Sequence, residues 1–336
     1  MSITVVHTLA EKEWRRFVDK HPASNIFHTP EMFQVFTQAK GHHPILWAAV
    51  GGDGHILALL PIVNVTLLNG PLRYFTTRSI AYGSVLCAPG PKGQEALAIL
   101  LSTYKRQARS RSLFTELRNL SDFASIQPTL QENNFVYEGH LNFLIDLERP
   151  VEEIWSSVRS NVRTNVRKAR RKQVVIEEIT SLDEVASAYT VLEKVYEHIQ
   201  VPLAPISLFE AAFEILYSKN MIKFFSAWVD ETRIGVAVRL LHKNVIYAWY
   251  AGITRDYASH KANDLLNWHV LEWGAQNGFT CFDFGGAGKP DEEYGPRKFK
   301  AKFNGALVNY GRNTCVHAPM RLRLGEKVYN AVRKFL

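Results

Sequence analysis

The chain has 336 residues, enough for two domains, and 46% hydrophobic residues, enough for ordinary globular cores. Its formal charge of +8 and pI near 9.3 point to anionic partners, such as nucleic acid, nucleotide-linked sugars or an anionic membrane surface, with a solvated basic surface as the alternative. The three cysteines, Cys87, Cys281 and Cys315, have neither zinc-ligand nor redox spacing and read as reduced thiols of a cytoplasmic protein. The start, MSITVVHTLAEKEW, lacks a signal-peptide pattern, and no apolar run is long enough to span a bilayer, so any membrane contact is expected to be peripheral, at the inner surface.

Residues 11–19 predict a short helix, and Thr29-Pro30 caps and opens another through residue 39. Residues 45–50 and 55–64 predict strands joined by the tight turn at 51–54. Residues 72–75 and 84–87 are further strand candidates. A helix over 94–110, a strand over 113–117, a short helix over 126–133 and a strand over 143–147 follow. The chain then turns at Arg149-Pro150, which places a boundary between a domain of residues 1–150 and one of residues 151–336.

The second part opens with one long predicted helix, 151–172, and a strand at 174–179. Helices over 182–198 and 207–219 come next, the latter capped by Ser207. A three-strand meander spans 224–229, 233–242 and 245–252. A helix over 264–276 stops at Gly278, strands follow at 279–284 and 307–310, and a basic amphipathic helix at 329–336 closes the chain. Both halves run helix, helix, strand, turn, strand, strand, helix, strand, which suggests two copies of one mixed α/β (α+β) fold.

Three segments carry the candidate chemistry. In RSNVRTNVRKARRK at 159–172, Arg159, Arg163, Arg167 and Arg171 recur every four residues, so they share a helix face and need either solvent or an anion to offset their repulsion. Arg163 and Arg167 are the candidates for a phosphate, which suits the bidentate guanidinium; the alternative is a solvated basic face. In RDYASHKAND at 255–264, a strand-to-helix loop lacks glycine, and Lys261 stands where a phosphate-cradling loop expects a small residue. In FDFGGAGKPDEEYGPRKFKAKFNG at 282–305, Asp283 sits alone in an apolar run that stops at two glycines. Arg297, Lys300 and Lys302 then interleave with Phe299 and Phe303. Read as a strand, this segment puts both lysines on one face, aimed at an anion. Tyr247 and Tyr250 crowd one strand and are candidates for substrate contact, with core packing as the alternative. No histidine or cysteine grouping has metal-ligand spacing, and no nucleophile–base pair stands out.

These segments, with NIFHTPEMFQVF at 25–36 and RSIAYGSVL at 78–86, resemble the FemABX family of peptidoglycan interpeptide-bridge aminoacyltransferases and their acetyltransferase-like relatives. The resemblance implies two tandem GNAT-like domains, each a mixed sheet flanked by helices, around a cleft. It implies amide formation by transfer of an aminoacyl group from aminoacyl-tRNA to the amine of an acidic, phosphate-bearing cell-envelope precursor, with no bound cofactor. The family's FK-motif lysine falls on Lys300, beside which Asp283 is the candidate for positioning the amine. The chain departs from the family where Asn304 precedes Gly305 and in lacking a long helical arm of the kind linked to tRNA. Two other readings remain open: an N-acyltransferase using acyl-CoA in polysaccharide or secondary metabolism, and a non-catalytic module that binds nucleic acid or membrane through its basic helix.

Overall fold

In the computed structural model, which describes residues 2–66 and 70–324, the chain forms two compact units. One comprises Met1–Gly139 with Tyr310–Leu336, the other His140–Asn309. The division read from the sequence after residue 150 lies eleven residues beyond this one, and the segment from Tyr310 returns to the first unit. The helix expected at 329–336 lies outside the described residues.

The first unit begins with β1 (Ile3–Val6), α1 (Glu11–Lys20), α2 (Pro30–Gln38), β2 (His42–Gly51) and β3 (Ile56–Thr66). It continues through β4 (Thr77–Ala81), β5 (Leu86–Cys87), α3 (Pro91–Ala108), β6 (Phe114–Arg118), α4 (Gln127–Glu132) and β7 (Val136–Glu138). Thr29 caps α2 through its hydroxyl, which accepts from the Met32 N–H at 3.2 Å, and Pro30 fills the first turn, where a missing N–H costs nothing. Gly54, at φ +81°, closes the β2–β3 hairpin. Residues 72–75, expected as a strand, lie instead in a 3₁₀ turn over Gly70–Phe75.

The second unit holds β8 (Leu141–Asp146), α5 (Val151–Ser157), α6 (Ser160–Arg171), β9 (Val175–Glu178), α7 (Leu182–His198) and α8 (Ile206–Leu216). Then come β10 (Ile222–Val229), β11 (Thr232–His242), β12 (Val245–Ile253), α9 (Ala262–Gln276), β13 (Cys281–Gly286), α10 (Gly295–Lys300) and β14 (Ala306–Asn309). The last described strand, β15 (Arg312–Val316), belongs to the first unit's sheet.

The two copies foreseen in the sequence are visible in the pairing. In the first sheet β4 runs parallel to β6 across α3, and in the second β12 runs parallel to β13 across α9. The first sheet also takes in one strand from beyond its main run. β15 lies between β6 and β7, and β8 lies between β13 and β14, every contact antiparallel.

The helix expected over 151–172 is two helices. Val158 (ψ 139°) and Arg159 (ψ 145°) are extended, and the Arg159 N–H donates to Lys302 O at 3.0 Å. Ile154, Val158, Val162, Val166 and Ala169 still face one core, packed with Leu265, Leu266 and Trp268 of α9 and Phe282 of β13. Burial of this apolar stripe, at roughly 25 cal/mol per Å², holds the basic helix in place despite the repulsion along its outer face. Ser207 does not cap α8, which starts at Ile206 behind Pro205.

Candidate active site

The second unit's sheet opens where β12 and β13 part. They pair from Val245–Cys281 to Tyr247–Asp283 and no further. Two local features separate them. β12 bulges against β11: Val238 faces Tyr250 while Arg239 faces Ala248, leaving Trp249 as the extra residue. β13 turns at Gly285, whose φ of +76° strains any side-chain-bearing residue. Between the parted strands lies a cavity of about 730 Å³, lined by Tyr196, Arg239, Trp249, Tyr250, Phe284 and Lys300 among others.

Lys300 reaches this cavity from α10, a helix and not the strand expected there. Phe299 and Phe303, four residues apart, pack against Phe284 at centroid distances of 6.2 and 5.3 Å. That spacing fits a helical turn that continues as 3₁₀ through residues 301–303. With both rings committed to the core, Lys300 turns to β13 and donates from Nζ to Gly286 O at 2.9 Å. Its ammonium also lies 5.4 Å from the Phe284 ring centre. Burial lowers its pKa to about 8, partly opposed by the Asp283 carboxylate and reinforced by Arg239.

Asp283 lies behind Lys300, 3% exposed and not among the residues lining the cavity. Its Oδ1 accepts from the Gly285 N–H at 2.8 Å, and Asn142 Nδ2 donates to the two oxygens at 3.2 and 3.4 Å. Burial raises its pKa to about 6, against the pull of the Gly285 N–H, Lys300 and Asn142. Near neutral pH the pair is a buried carboxylate backing an ammonium that faces open space.

The remaining sequence candidates divide. Tyr250 lines the cavity, its ring 4.7 Å from that of Phe209. Tyr247 is 9% exposed, on the closed, paired part of β12. Lys261 sits at the start of α9 with φ +60° and does not line the cavity. Arg163 Nη1 donates to Ser156 O at 2.7 Å, to Trp155 O at 3.4 Å and to Val158 O, so it closes the end of α5. Arg167 lies over the Trp155 ring at 5.6 Å, with its side chain on the exposed face. Arg297 ties down the preceding loop through Ala287 O at 2.7 Å, Pro290 O at 3.2 Å and Lys289 O. Lys302 rests 5.6 Å from the Phe299 ring and exerts its charge on Asp264 instead of pairing with Lys300. Of the cations expected to converge, only Lys300 lines this cavity.

Sequence reasoning missed Arg239, Asn267 and Tyr196. Arg239 stands in VAVRLLH, the lone charge in an apolar strand, and that isolation was the available signal. Among the described residues no group of histidine, cysteine and carboxylate side chains is arranged to hold a metal, and no helix is long and apolar enough to cross a membrane.

Residues 156–296 match the acetyltransferase (GNAT) domain family, so the parted strands belong to an acyltransferase-type domain. No curated protein matches the chain in sequence. Among solved structures, FemX has the same fold over 99% of this chain and 100% of its own, with a TM-score of 0.71 and 14% identity. The C-terminal domain of a protein described as a lysylphosphatidylglycerol synthetase, from Agrobacterium fabrum, matches over 94% of both chains at a TM-score of 0.60 and 13% identity. A tandem GNAT protein from the clavulanic acid biosynthesis pathway covers 94% of this chain and 99% of its own, at 0.58 and 13%. The fold is therefore the tandem, FemX-like GNAT fold that the sequence resemblance implied, and the expectation of a transferase agrees with the matched domain.

Proposed function

We propose that the chain transfers an aminoacyl group from aminoacyl-tRNA to an amine, and that the reaction takes place in the cavity between β12 and β13. The observation that carries this is Lys300: an ammonium anchored to Gly286 O, backed by a buried carboxylate and facing a cavity with aromatic walls.

The amine nitrogen attacks the ester carbonyl, a C–N bond forms, and the carbonyl oxygen gains negative charge. A fixed cation there lowers the barrier most when water is largely excluded. The ester C–O bond then breaks, and the proton lost by the amine ends on the departing hydroxyl. Lys300 is the catalytic residue of this proposal. Asp283, shut off from the cavity, is a positioning residue: its charge keeps Lys300 protonated and its hydrogen bond fixes the Gly285 turn. The aromatic side chains of Tyr196, Tyr250 and Trp249 hold the substrate's apolar parts.

The acceptor is an acidic, phosphate-bearing envelope precursor of the peptidoglycan type, met in the cytoplasm or at the inner membrane surface. The likeness to FemX and to a lysylphosphatidylglycerol synthetase domain supports this choice at the level of fold. The exposed cations of α6, Arg167, Lys168, Arg170 and Arg171, suit the phosphates of tRNA. An acyl-CoA donor is the second reading, favoured by the acetyltransferase (GNAT) domain match over 156–296.

The donor is identified by incubating the purified chain with charged tRNA or acetyl-CoA plus cell extract. The aminoacyl reading predicts loss of the tRNA ester only. Loss of the thioester only selects acyl-CoA, and loss of neither overturns both and leaves a binding module.

A further inference from the structure

Arg239, on β11, has 1% of its surface exposed and lies at the cavity wall. A guanidinium carries five N–H donors and no acceptor. Nη1 donates to Val238 O at 3.1 Å and to Tyr250 O at 3.2 Å, and Nη2 donates to Asn267 Oδ1 at 3.1 Å. Nε is buried without an acceptor. These contacts brace the bulge, because they tie β11 to β12 and α9 where the register slips. The bracing needs N–H groups only. Every acceptor is neutral, so the guanidinium's charge is left unbalanced, and the Phe282 ring, 5.6 Å away, offers no more than its quadrupole.

Lys300 brings a second cation to the same cavity, and each of the two cations disfavours the other's charge. The facing groups give little relief. α7 contributes the Tyr196 phenol, α9 contributes the Asn263 and Asn267 amides, and no Asp or Glu lines the cavity. Asp283 answers Lys300 from behind. Two cations against one carboxylate leave a single positive charge in excess, where burial makes an uncompensated charge cost several kcal/mol. A structural arginine alone has no use for that cost. A ligand that supplies one negative charge removes it.

On the basis of the transfer reading, we infer that the cavity recognises a substrate through a singly charged carboxylate held by the field of Arg239 and Lys300, next to the reacting centre. A phosphate monoester, with about −1.5 to −2 charges at neutral pH, exceeds the excess, whereas a carboxylate matches it. The substrate class is then an acid whose amine or acyl group stands a few bonds from its carboxylate.

The test is a binding measurement on the full chain, read by the fluorescence of its tryptophans (Trp249 lines the cavity) at constant ionic strength and pH 7. The probes are the N-acetylglycine anion, neutral N-acetylglycinamide and methyl phosphate, each to about 50 mM, the range for weak fragments. N-acetylglycine is expected to bind at least about tenfold more tightly than the amide and more tightly than methyl phosphate. Arg239→Gln should reduce that preference to below about twofold while Arg239→Lys keeps part of it. If Arg239→Gln does not fold, Lys300→Met serves, with the same loss expected. Equal binding of acid and amide, tighter binding of methyl phosphate, a preference that survives these substitutions, or no binding by any probe overturns the inference. Binding is read without turnover. A carboxylate preference in a protein that consumes no donor therefore sinks the transfer reading alone, while donor consumption without the preference sinks this inference alone.

Discussion

The Nζ of Lys300 donates to the backbone oxygen of Gly286 at 2.9 Å, joining α10 to the end of β13. The bond spans the turn at Gly285 and sets the ammonium at the mouth of the parted strands. Its strength depends on the turn keeping its φ of +76°, and its charge depends on Asp283 behind it. Four expectations follow from how these parts depend on one another and on the helices around them.

Gly285→Ala should cost about 1 kcal/mol of stability, because a Cβ disfavours this backbone region. An added Cβ would meet Lys300 Nζ at 3.6 Å, an ordinary contact, so the cost is one of conformation and not of collision. Transfer should fall more than stability does, since the turn aims the Gly286 carbonyl. A denaturant midpoint and a rate on the same variant separate the two effects.

Lys300→Met should be more stable than the wild type at pH 7, by on the order of 1–3 kcal/mol, while losing activity. The sign follows from the pKa. Folding depresses the ammonium from its ordinary 10.5 to about 8, so the folded state disfavours the charge at every pH below about 8. That penalty fades between about 8 and 10.5, and the variant's advantage should fade with it. Melting temperatures at pH 7 and pH 10 test this; an advantage that grows with pH would contradict it.

The Asp283 carboxylate raises the pKa of Lys300, so Asp283→Asn should lower it. The wild-type rate should fall on the alkaline side with an apparent pKa near 8 as Lys300 loses its proton. In the asparagine variant that limb should move to lower pH. The acid limb near pH 6, set by protonation of Asp283, should disappear. A pH–rate profile with an unmoved alkaline limb would remove Lys300 as its source.

Arg163→Ala should destabilise the fold by about 1–3 kcal/mol, since a charged donor leaves the closing carbonyls of α5. The loss should not depend on salt, and affinity for a phosphate-bearing ligand should hold. Arg167→Ala, on the exposed face, should do the reverse: little loss of stability and a salt-dependent loss of affinity for tRNA. Chemical denaturation and a salt series of binding curves distinguish the two residues.

The doubled fold was legible because its signals are local. Thr29-Pro30 opens a helix, Gly54 closes a hairpin, and Gly278, at φ +79°, ends α9. The site was legible in part. Asp283 stood out as a lone charge in an apolar run, and Lys300 as a cation set between phenylalanines. The alternation of Lys and Phe at 299–303 suggested a strand, although Pro296 and the four-residue spacing of Phe299 and Phe303 also fit the helix that forms. The break at Val158-Arg159 has neither glycine nor proline to announce it; the Lys302 carbonyl that receives the Arg159 N–H comes from far along the chain. The loss of Arg163 and Arg297 to backbone carbonyls is of the same kind. A four-residue stripe shows which face arginines share and not what they meet.

The central claim is that Lys300 is the cation at the reacting carbonyl, and the most direct measurement is single-turnover transfer from the active donor by wild type and Lys300→Ala, with folding checked by circular dichroism. The account predicts a rate reduced by about 100-fold or more, the usual cost of removing a group that stabilises the developing oxyanion. A folded variant that transfers at the wild-type rate would contradict it.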